Sequence, residues 1–315
     1  MAATDGIARK ITTAFSNGNF RLKRPGAPVT TGWPAMPEVQ QAKDLKAWGA
    51  DDVSIRHFIT FTAAMDRSRN ADVLWEASKR LFKKELWLYQ PKEVATRPFG
   101  DLQKLLKEFK VSQRHEVDSA AWRTIGNTLS HPSTAPVVTR AIVEGQGDAR
   151  NLLGELGRKS GGNPLFPLLK GLKIGPMWVR MLVCPGGANI SSMEIIPVAV
   201  DVHVKRVTEY LGVSDTRGED IENVREKIKK AWAKDVRENG AEGPSLLANT
   251  PSAVDPALWF FGKWGCFHCE DSRRRIPVAD VCEDCRFDHL NPGGVVAKSS
   301  RKGCYGQKIT SKLIS

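Results

Sequence analysis

Apolar residues recur at helical spacing through most of this chain, and no stretch reads convincingly as a strand. The helical pattern starts just after residue 51 and continues, with breaks, to residue 237. The segments that carry it are 53–65, 72–84, 99–109, 119–129, 137–144, 149–157 and 221–237. This periodicity predicts a mostly α fold.

The chain is long enough for a core and strongly basic. Its 315 residues can form one large domain or two ordinary ones without disulfides. Lysine and arginine number 47 against 35 acidic residues, which gives a net charge of +12. Such a balance suits a polyanionic partner, although a generally basic surface without a specific partner would have the same charge.

Nothing in the sequence predicts a membrane protein or a secreted one. No window reaches the roughly 18 uninterrupted apolar residues of a membrane span. Residues 1–18 lack the apolar core of a secretory signal, so we expect a cytoplasmic protein, associated with the nucleoid if bacterial. In that reducing compartment cysteines are ligands or thiols rather than bridges. We expect a monomer.

Composition divides the chain into four segments. Residues 1–50 are rich in glycine, proline, threonine and alanine, which predicts an irregular arm. Residues 51–265 form the predicted helical domain, 266–291 a four-cysteine module and 292–315 a basic tail. The tail favours non-specific DNA affinity, or else it is a solvated tail without function.

A glycine hairpin is predicted at 169–183. It joins a helix that starts at Phe166 to a helix that ends at Val183. Gly171 and Gly175 stand four residues apart, next to Lys170. Glycine leaves backbone amides bare, so that they can approach a phosphate oxygen while the following helix adds its positive N-terminal end. These residues are candidates for a sequence-independent DNA grip; an ordinary turn between helices is the alternative.

A single carboxylate, Asp201, lies in a valine-rich run at the start of a predicted helix over 197–211. The run from Val200 to Arg206 reads V-D-V-H-V-K-R. With the hairpin before it, this run resembles the V-D-x-H-V-x-R motif of the helix-hairpin-helix DNA glycosylase superfamily. The resemblance implies a two-lobed helical fold and an enzyme that flips a damaged base out of double-stranded DNA and cuts its N-glycosidic bond.

By this resemblance Asp201 is the catalytic carboxylate. Breaking the glycosidic bond develops positive charge on the sugar, and a nearby carboxylate can stabilise that charge and orient or deprotonate the nucleophile. The alternative for Asp201 is a plain helix N-cap.

The nucleophile that attacks the sugar could be either water or a lysine. Family members with lyase activity use a hairpin lysine that forms a Schiff base. In the commonest alignment that position falls on Met177, which implies a monofunctional glycosylase for alkylated or mismatched bases. Lys173 and the run E-I-I-P-V-A-V-D over 194–201 resemble instead the archaeal 8-oxoguanine glycosylase branch. That resemblance implies Lys173 as nucleophile and an oxidised purine as substrate. A non-catalytic DNA-binding protein is the alternative from another class.

Further candidates surround this constellation. Arg67 and Arg69 fall where the family's first helix meets the DNA, and Arg274 lies in the cysteine module and could meet the backbone. Met177 and Trp178 follow the hairpin and are candidates for the base pocket, with the core as the alternative.

Four cysteines form two close pairs near the C-terminus, Cys266 with Cys269 and Cys282 with Cys285, each spaced C-x2-C. Four thiolates in this spacing suit a tetrahedral structural zinc site. The stretch before Cys266 resembles the approach to the iron-sulfur cluster of the endonuclease III branch, which makes a 4Fe-4S cluster the alternative. Asn291 stands where that branch has its fourth cysteine.

Overall fold

The computed structural model of the protein describes residues 6–18, 32–216 and 219–265. Within these residues the chain is mostly helical, as the periodicity predicts, which confirms a mostly α fold. It divides into two compact units: one takes the described residues of 1–35 and 197–315, and the other is 36–196. None of the described helices is long and apolar enough to cross a membrane.

The described residues contain thirteen α-helices. In chain order they are α1 (Ile7–Ser16), α2 (Pro37–Ala47), α3 (Asp52–Ala64), α4 (Ala71–Lys84), α5 (Pro91–Thr96), α6 (Phe99–Glu108), α7 (His115–Ser130), α8 (Pro136–Val143), α9 (Ala149–Leu156), α10 (Ile174–Val183), α11 (Val202–Tyr210), α12 (Ile221–Asn239) and α13 (Pro251–Phe260). Short 3-10 turns lie at Trp33–Ala35, Leu86–Tyr89, Met193–Ile195 and Ser245–Leu247, and a π-helical turn follows α13 at Phe261–Gly265.

Two small sheets lie between the helices of the second unit. Strand β1 (Gln146–Asp148) pairs in parallel with β4 (Asn189–Ser191). Strand β2 (Lys159–Ser160) pairs antiparallel with β3 (Asn163–Pro164). Strands of two or three residues are too short to show an alternating pattern, which explains why the sequence does not reveal them.

The predicted irregular arm at 1–50 is wrong for its described part, because that part contains α1 and α2. Ile7, Ile11 and Phe15 lie on one buried face of α1, so this helix is stabilised by packing. The prolines do not prevent helix formation here. Pro37 occupies the first turn of α2, where its nitrogen needs no hydrogen-bond partner within the helix.

The helix predicted to start at Phe166 is absent. Residues 165–173 form turns, and Leu168 has a left-handed φ of 70°. The proline at 167 disfavours helical backbone at Phe166, and a left-handed residue then stops a helix from forming. The second predicted helix of the hairpin is present as α10.

The core of the 36–196 unit is aromatic and centres on α3. Phe61 stacks on Trp122 with ring centroids 4.9 Å apart, and Tyr89 meets Trp122 edge-on at 5.4 Å. The indole nitrogen of Trp122 donates to the carbonyl oxygen of Leu88 at 2.8 Å, so its polar atom is satisfied. The N-cap of α3, Asp51, accepts from the amide of Ser54.

The other unit joins α1 to the last helices described. Phe15 of α1 packs against Phe260 of α13 at 5.5 Å. The amide of Ala8 donates to the carboxylate of Asp235 in α12 at 2.6 Å, and this contact is buried. Trp232 of α12 in turn donates to Thr208 of α11 at 2.8 Å. These contacts anchor α11, the helix that follows Asp201.

Candidate functional site

Asp201 is the N-cap of α11. The helix begins at Val202 rather than at the predicted 197, because Pro197 to Val200 run without helical structure before it. One carboxylate oxygen, Oδ1, accepts from the amides of His203 at 2.8 Å and Val204 at 2.9 Å. These two hydrogen bonds from amides at the start of the helix fix the orientation of the carboxylate.

The segment before Asp201 is buried and held by a second carboxylate. Val198 and Ala199 are almost fully buried. The amide of Ala199 donates to Oδ1 of Asp255, a buried residue of α13, at 3.1 Å. Sequence reasoning did not identify Asp255 as a site residue. An acidic residue between Val254 and Pro256 in an apolar stretch is the signal that could have revealed it.

His203 lies in a tight corner against the π-helical turn after α13. A Cβ placed on Gly262 would lie only 2.8 Å from the Cβ of His203, so glycine permits this close approach. The ring nitrogen Nδ1 is buried and has no hydrogen-bond partner within the described residues. Burial lowers the pKa of His203, although the charge of Asp201 opposes this shift.

Trp259 packs beside His203, and Lys263 lies over the rings of Trp259 and Trp264. Trp259 meets the imidazole edge-on at 6.4 Å between ring centroids. The ammonium of Lys263 lies 4.5 Å from the ring centroid of Trp259 and 5.0 Å from that of Trp264. Cation–π contacts of this kind order both aromatic rings beside the helix that Asp201 caps.

The predicted hairpin has a different backbone from the one expected. Neither Gly171 nor Gly175 has a positive φ, and the left-handed residue of the turn is Leu168. Gly175 is buried in α10 and its amide donates to the carbonyl oxygen of Gly171 at 2.8 Å, so this amide is not bare. Its absent side chain instead allows packing, because a Cβ there would lie 3.3 Å from the carbonyl oxygen of Leu169.

The two hairpin lysines differ in their surroundings. Lys170 is exposed in the turn, whereas Lys173 is half-buried and is the N-cap of α10. The carbonyl oxygen of Lys173 accepts from the amide of Met177 at 3.3 Å, in the first turn of the helix. Lys173 belongs to the 36–196 unit and Asp201 to the other unit.

Trp178 is a core residue rather than a wall of a base pocket. Its side chain is fully buried, and its indole nitrogen donates to the hydroxyl of Thr60 at 3.0 Å. A ring without exposed surface is not available to stack on an incoming base in this structure. Met177 is 7% exposed and lies in the same buried helix.

Arg69 has a structural role in the second unit. Its guanidinium donates to the carbonyl oxygens of Lys110 at 2.8 Å and Val111 at 2.5 Å, which follow the C-terminal end of α6. Burial lowers the pKa of Arg69, while the charges of Asp66 and Asp118 oppose this. Arg67 is half-buried and remains the stronger candidate of the two for a contact with DNA.

The predicted metal ligands Cys266, Cys269, Cys282 and Cys285 lie outside the described residues, as do Arg274 and the tail at 292–315. Among residues 6–18, 32–216 and 219–265, no group of histidine, cysteine, aspartate or glutamate side chains is arranged to hold a metal ion. The thiol of Cys184 is half-buried, and burial raises its pKa to about 11.

No protein-family model, no curated protein and no solved structure matches this chain.

Proposed function

We propose that the protein is a DNA glycosylase of the helix-hairpin-helix type, which excises a damaged base from double-stranded DNA. The observation that carries this proposal is the carboxylate of Asp201, fixed by the amides of His203 and Val204 within the V-D-V-H-V-K-R run. The net charge of +12 supports a polyanionic substrate.

The chemistry requires an ionised, oriented carboxylate beside the sugar. As the bond between the anomeric carbon and the base breaks, the base leaves with the bonding electrons and positive charge develops on the sugar. Asp201 stabilises that charge and positions the nucleophile. Because the helix amides hold one oxygen in place, little reorganisation of the carboxylate is needed during the reaction.

Lys173 is the proposed nucleophile of a bifunctional enzyme. Its amine forms a bond to the anomeric carbon, the base departs and takes up a proton, and loss of the amine proton with opening of the sugar ring gives a Schiff base. Elimination then breaks the DNA strand on the 3′ side. An oxidised purine such as 8-oxoguanine is the substrate that the resemblance of 194–201 favours. With water as nucleophile, the enzyme would stop at the abasic site.

The four cysteines Cys266, Cys269, Cys282 and Cys285 are proposed ligands of a structural zinc ion, with a 4Fe-4S cluster as the alternative. Metal analysis of the purified protein separates the two, since only the cluster gives bound iron, acid-labile sulfide and a brown colour.

The test is incubation with duplexes that each carry one defined lesion, read by strand cleavage with and without alkali. Asp201→Asn removes the charge but keeps an oxygen that can cap α11. Asp220→Asn is a matched control, because Asp220 caps α12 through the amides of Glu222 and Asn223, both at 3.0 Å. We expect Asp201→Asn to lose base release by at least about 100-fold, and Asp220→Asn to retain it.

Two results would contradict the proposal. If the parent releases no base from the panel yet binds abasic-site DNA as tightly as Asp201→Asn, the protein is a non-catalytic DNA binder. If both variants lose activity equally, the effect belongs to helix capping. Borohydride trapping tests Lys173 separately: we expect a covalent adduct with the parent and with Lys170→Ala, but none with Lys173→Ala.

A further inference from the structure

A basic groove lies on the surface of the 36–196 unit, between α6 and the start of α7. It is an open depression of about 700 Å³. Lys104 and Lys107 line it from α6, and Arg114, the N-cap of α7, lines it with His115 from the other side. Glu116 is the acidic residue of the lining. The segment is distant in sequence from Asp201 and from the hairpin, and the proposed chemistry does not use it.

The cations of the basic groove are exposed and have no ionic partner. Lys104, Lys107 and Arg114 are all exposed, and none of them forms an ion pair with a carboxylate of the described residues. Lys104 and Lys107 stand three residues apart on one helix face, where like charges repel. Elsewhere in the unit, exposed cations such as Arg97 and Arg140 pair with glutamates four residues away. The groove therefore keeps uncompensated positive charge.

The backbone on both sides of the groove is anchored by packing and hydrogen bonds. Leu102 and Leu106 are fully buried and fix α6. On the other wall the carboxylate of Asp118 accepts from the amides of Gln113 at 2.8 Å and Arg114 at 2.9 Å. These bonds hold the backbone that carries the arginine. Because the backbone on both sides of the groove is already held in place, binding needs to order only the side chains.

We propose that the basic groove binds the phosphate backbone of duplex DNA, as a contact additional to the site of Asp201. Three exposed cations without an ion pair, two on α6 and one at the N-cap of α7, suit the repeated charge of a sugar-phosphate chain. Contacts of this kind position a protein on DNA without reading sequence. The choice of DNA as the polyanion rests on the proposed function.

The salt dependence of DNA binding tests this directly. Each phosphate that a cation neutralises contributes about 0.9 to the slope of log affinity against log salt concentration. The affinity for undamaged duplex is measured by fluorescence anisotropy over a series of salt concentrations. We expect the triple variant Lys104→Gln, Lys107→Gln, Arg114→Gln to lower the slope by about 2 to 3, and Arg114→Gln alone by about 1.

A matched triple variant removes the same charge elsewhere. Lys43, Lys84 and Lys92 are exposed lysines of the same unit without an ion pair among the described residues, and they lie outside the groove. We expect the Gln variants of these three to change the slope by less than about 1. Glu116→Gln should act in the opposite direction and tighten binding, because it removes the carboxylate that lines the groove.

Equal salt slopes for the groove triple variant and the control triple variant would overturn the groove proposal, provided that thermal melting shows both proteins to be folded. So would a parent protein whose affinity for duplex does not depend on salt. This outcome is independent of catalysis. If the groove variant changes the slope but the protein releases no base, the groove proposal stands and the glycosylase proposal is contradicted. If the protein releases a base but the slopes are equal, only the groove proposal is contradicted.

Discussion

The carboxylate of Asp255 accepts a hydrogen bond from the amide of Ala199 at 3.1 Å, two residues before Asp201. Both residues are buried, so water cannot replace the bond if it is lost. Asp255 therefore acts on the site through the backbone that carries Asp201, as a positioning residue.

Replacing Asp255 should destabilise the protein and displace Asp201. We expect Asp255→Ala to lower the free energy of unfolding by about 1 to 3 kcal/mol, because a buried amide loses its acceptor. Asp255→Asn keeps an acceptor and should lose less. Urea unfolding measures the free energy of unfolding of both variants. In assays of base release, kcat should fall for the alanine variant with little change in KM. Equal stability of the two variants would contradict the assignment.

Gly262 should tolerate no side chain. A Cβ there would lie 2.8 Å from the Cβ of His203 and 3.0 Å from its carbonyl oxygen, so we expect Gly262→Ala to destabilise by about 1 to 3 kcal/mol. Gly154 in α9 is the matched control, since nothing lies within 4 Å of its added Cβ. Gly154→Ala should stabilise by about 0.5 to 1 kcal/mol through helix propensity. Thermal unfolding of both variants should give shifts of opposite sign.

Arg69 should matter for stability more than for DNA binding. Its guanidinium donates to two carbonyl oxygens after α6, so we expect Arg69→Ala to lower the free energy of unfolding by about 1.5 kcal/mol. Arg67→Ala should leave stability within about 0.5 kcal/mol of the parent and weaken DNA binding instead. A drop in duplex affinity for Arg69→Ala without loss of stability would refute this division of roles.

His57 should make the protein less stable in mild acid. Burial lowers its pKa from 6.5 to about 4, with a contribution from the charge of Arg56. The unfolded chain therefore binds a proton between pH 6.5 and pH 4 that the folded protein does not, so stability falls as pH decreases through this window. We expect His57→Gln to remove on the order of 2 kcal/mol of that loss, measured by denaturant unfolding at both ends of the window. Parallel curves for parent and variant would show that another group is responsible.

The helices could be predicted from sequence wherever an apolar face repeats for three turns or more. The segment 72–84 became α4 and 221–237 became α12, each within two residues of its predicted bounds. Prediction failed where tertiary contacts decide. The helix α1 forms because Ile11 and Phe15 are buried by other elements, and no local signal outweighed the glycines and prolines around it.

The candidate site could be predicted as a motif but not as a geometry. The sequence gives Asp201 a place at a helix start, and the structure puts it at the N-cap. The support from Asp255 and Gly262 comes from residues more than fifty positions away, and no periodicity links them to Asp201. For Trp178 the sequence leaves pocket and core open, and only its full burial identifies it as a core residue.

The pairing of α1 with α12 and α13 has a consequence for synthesis on the ribosome. The amide of Ala8 and the carboxylate of Asp235 are separated by 227 positions, so α1 leaves the exit tunnel long before its packing partners exist. Residues 36–196 form one continuous unit and can fold during that interval. Until then α1 keeps an apolar face without its native cover, and the segment that carries Asp201 acquires its supports last. Translation order thus places the fixing of Asp201 after the folding of the unit that holds Lys173 and the basic groove.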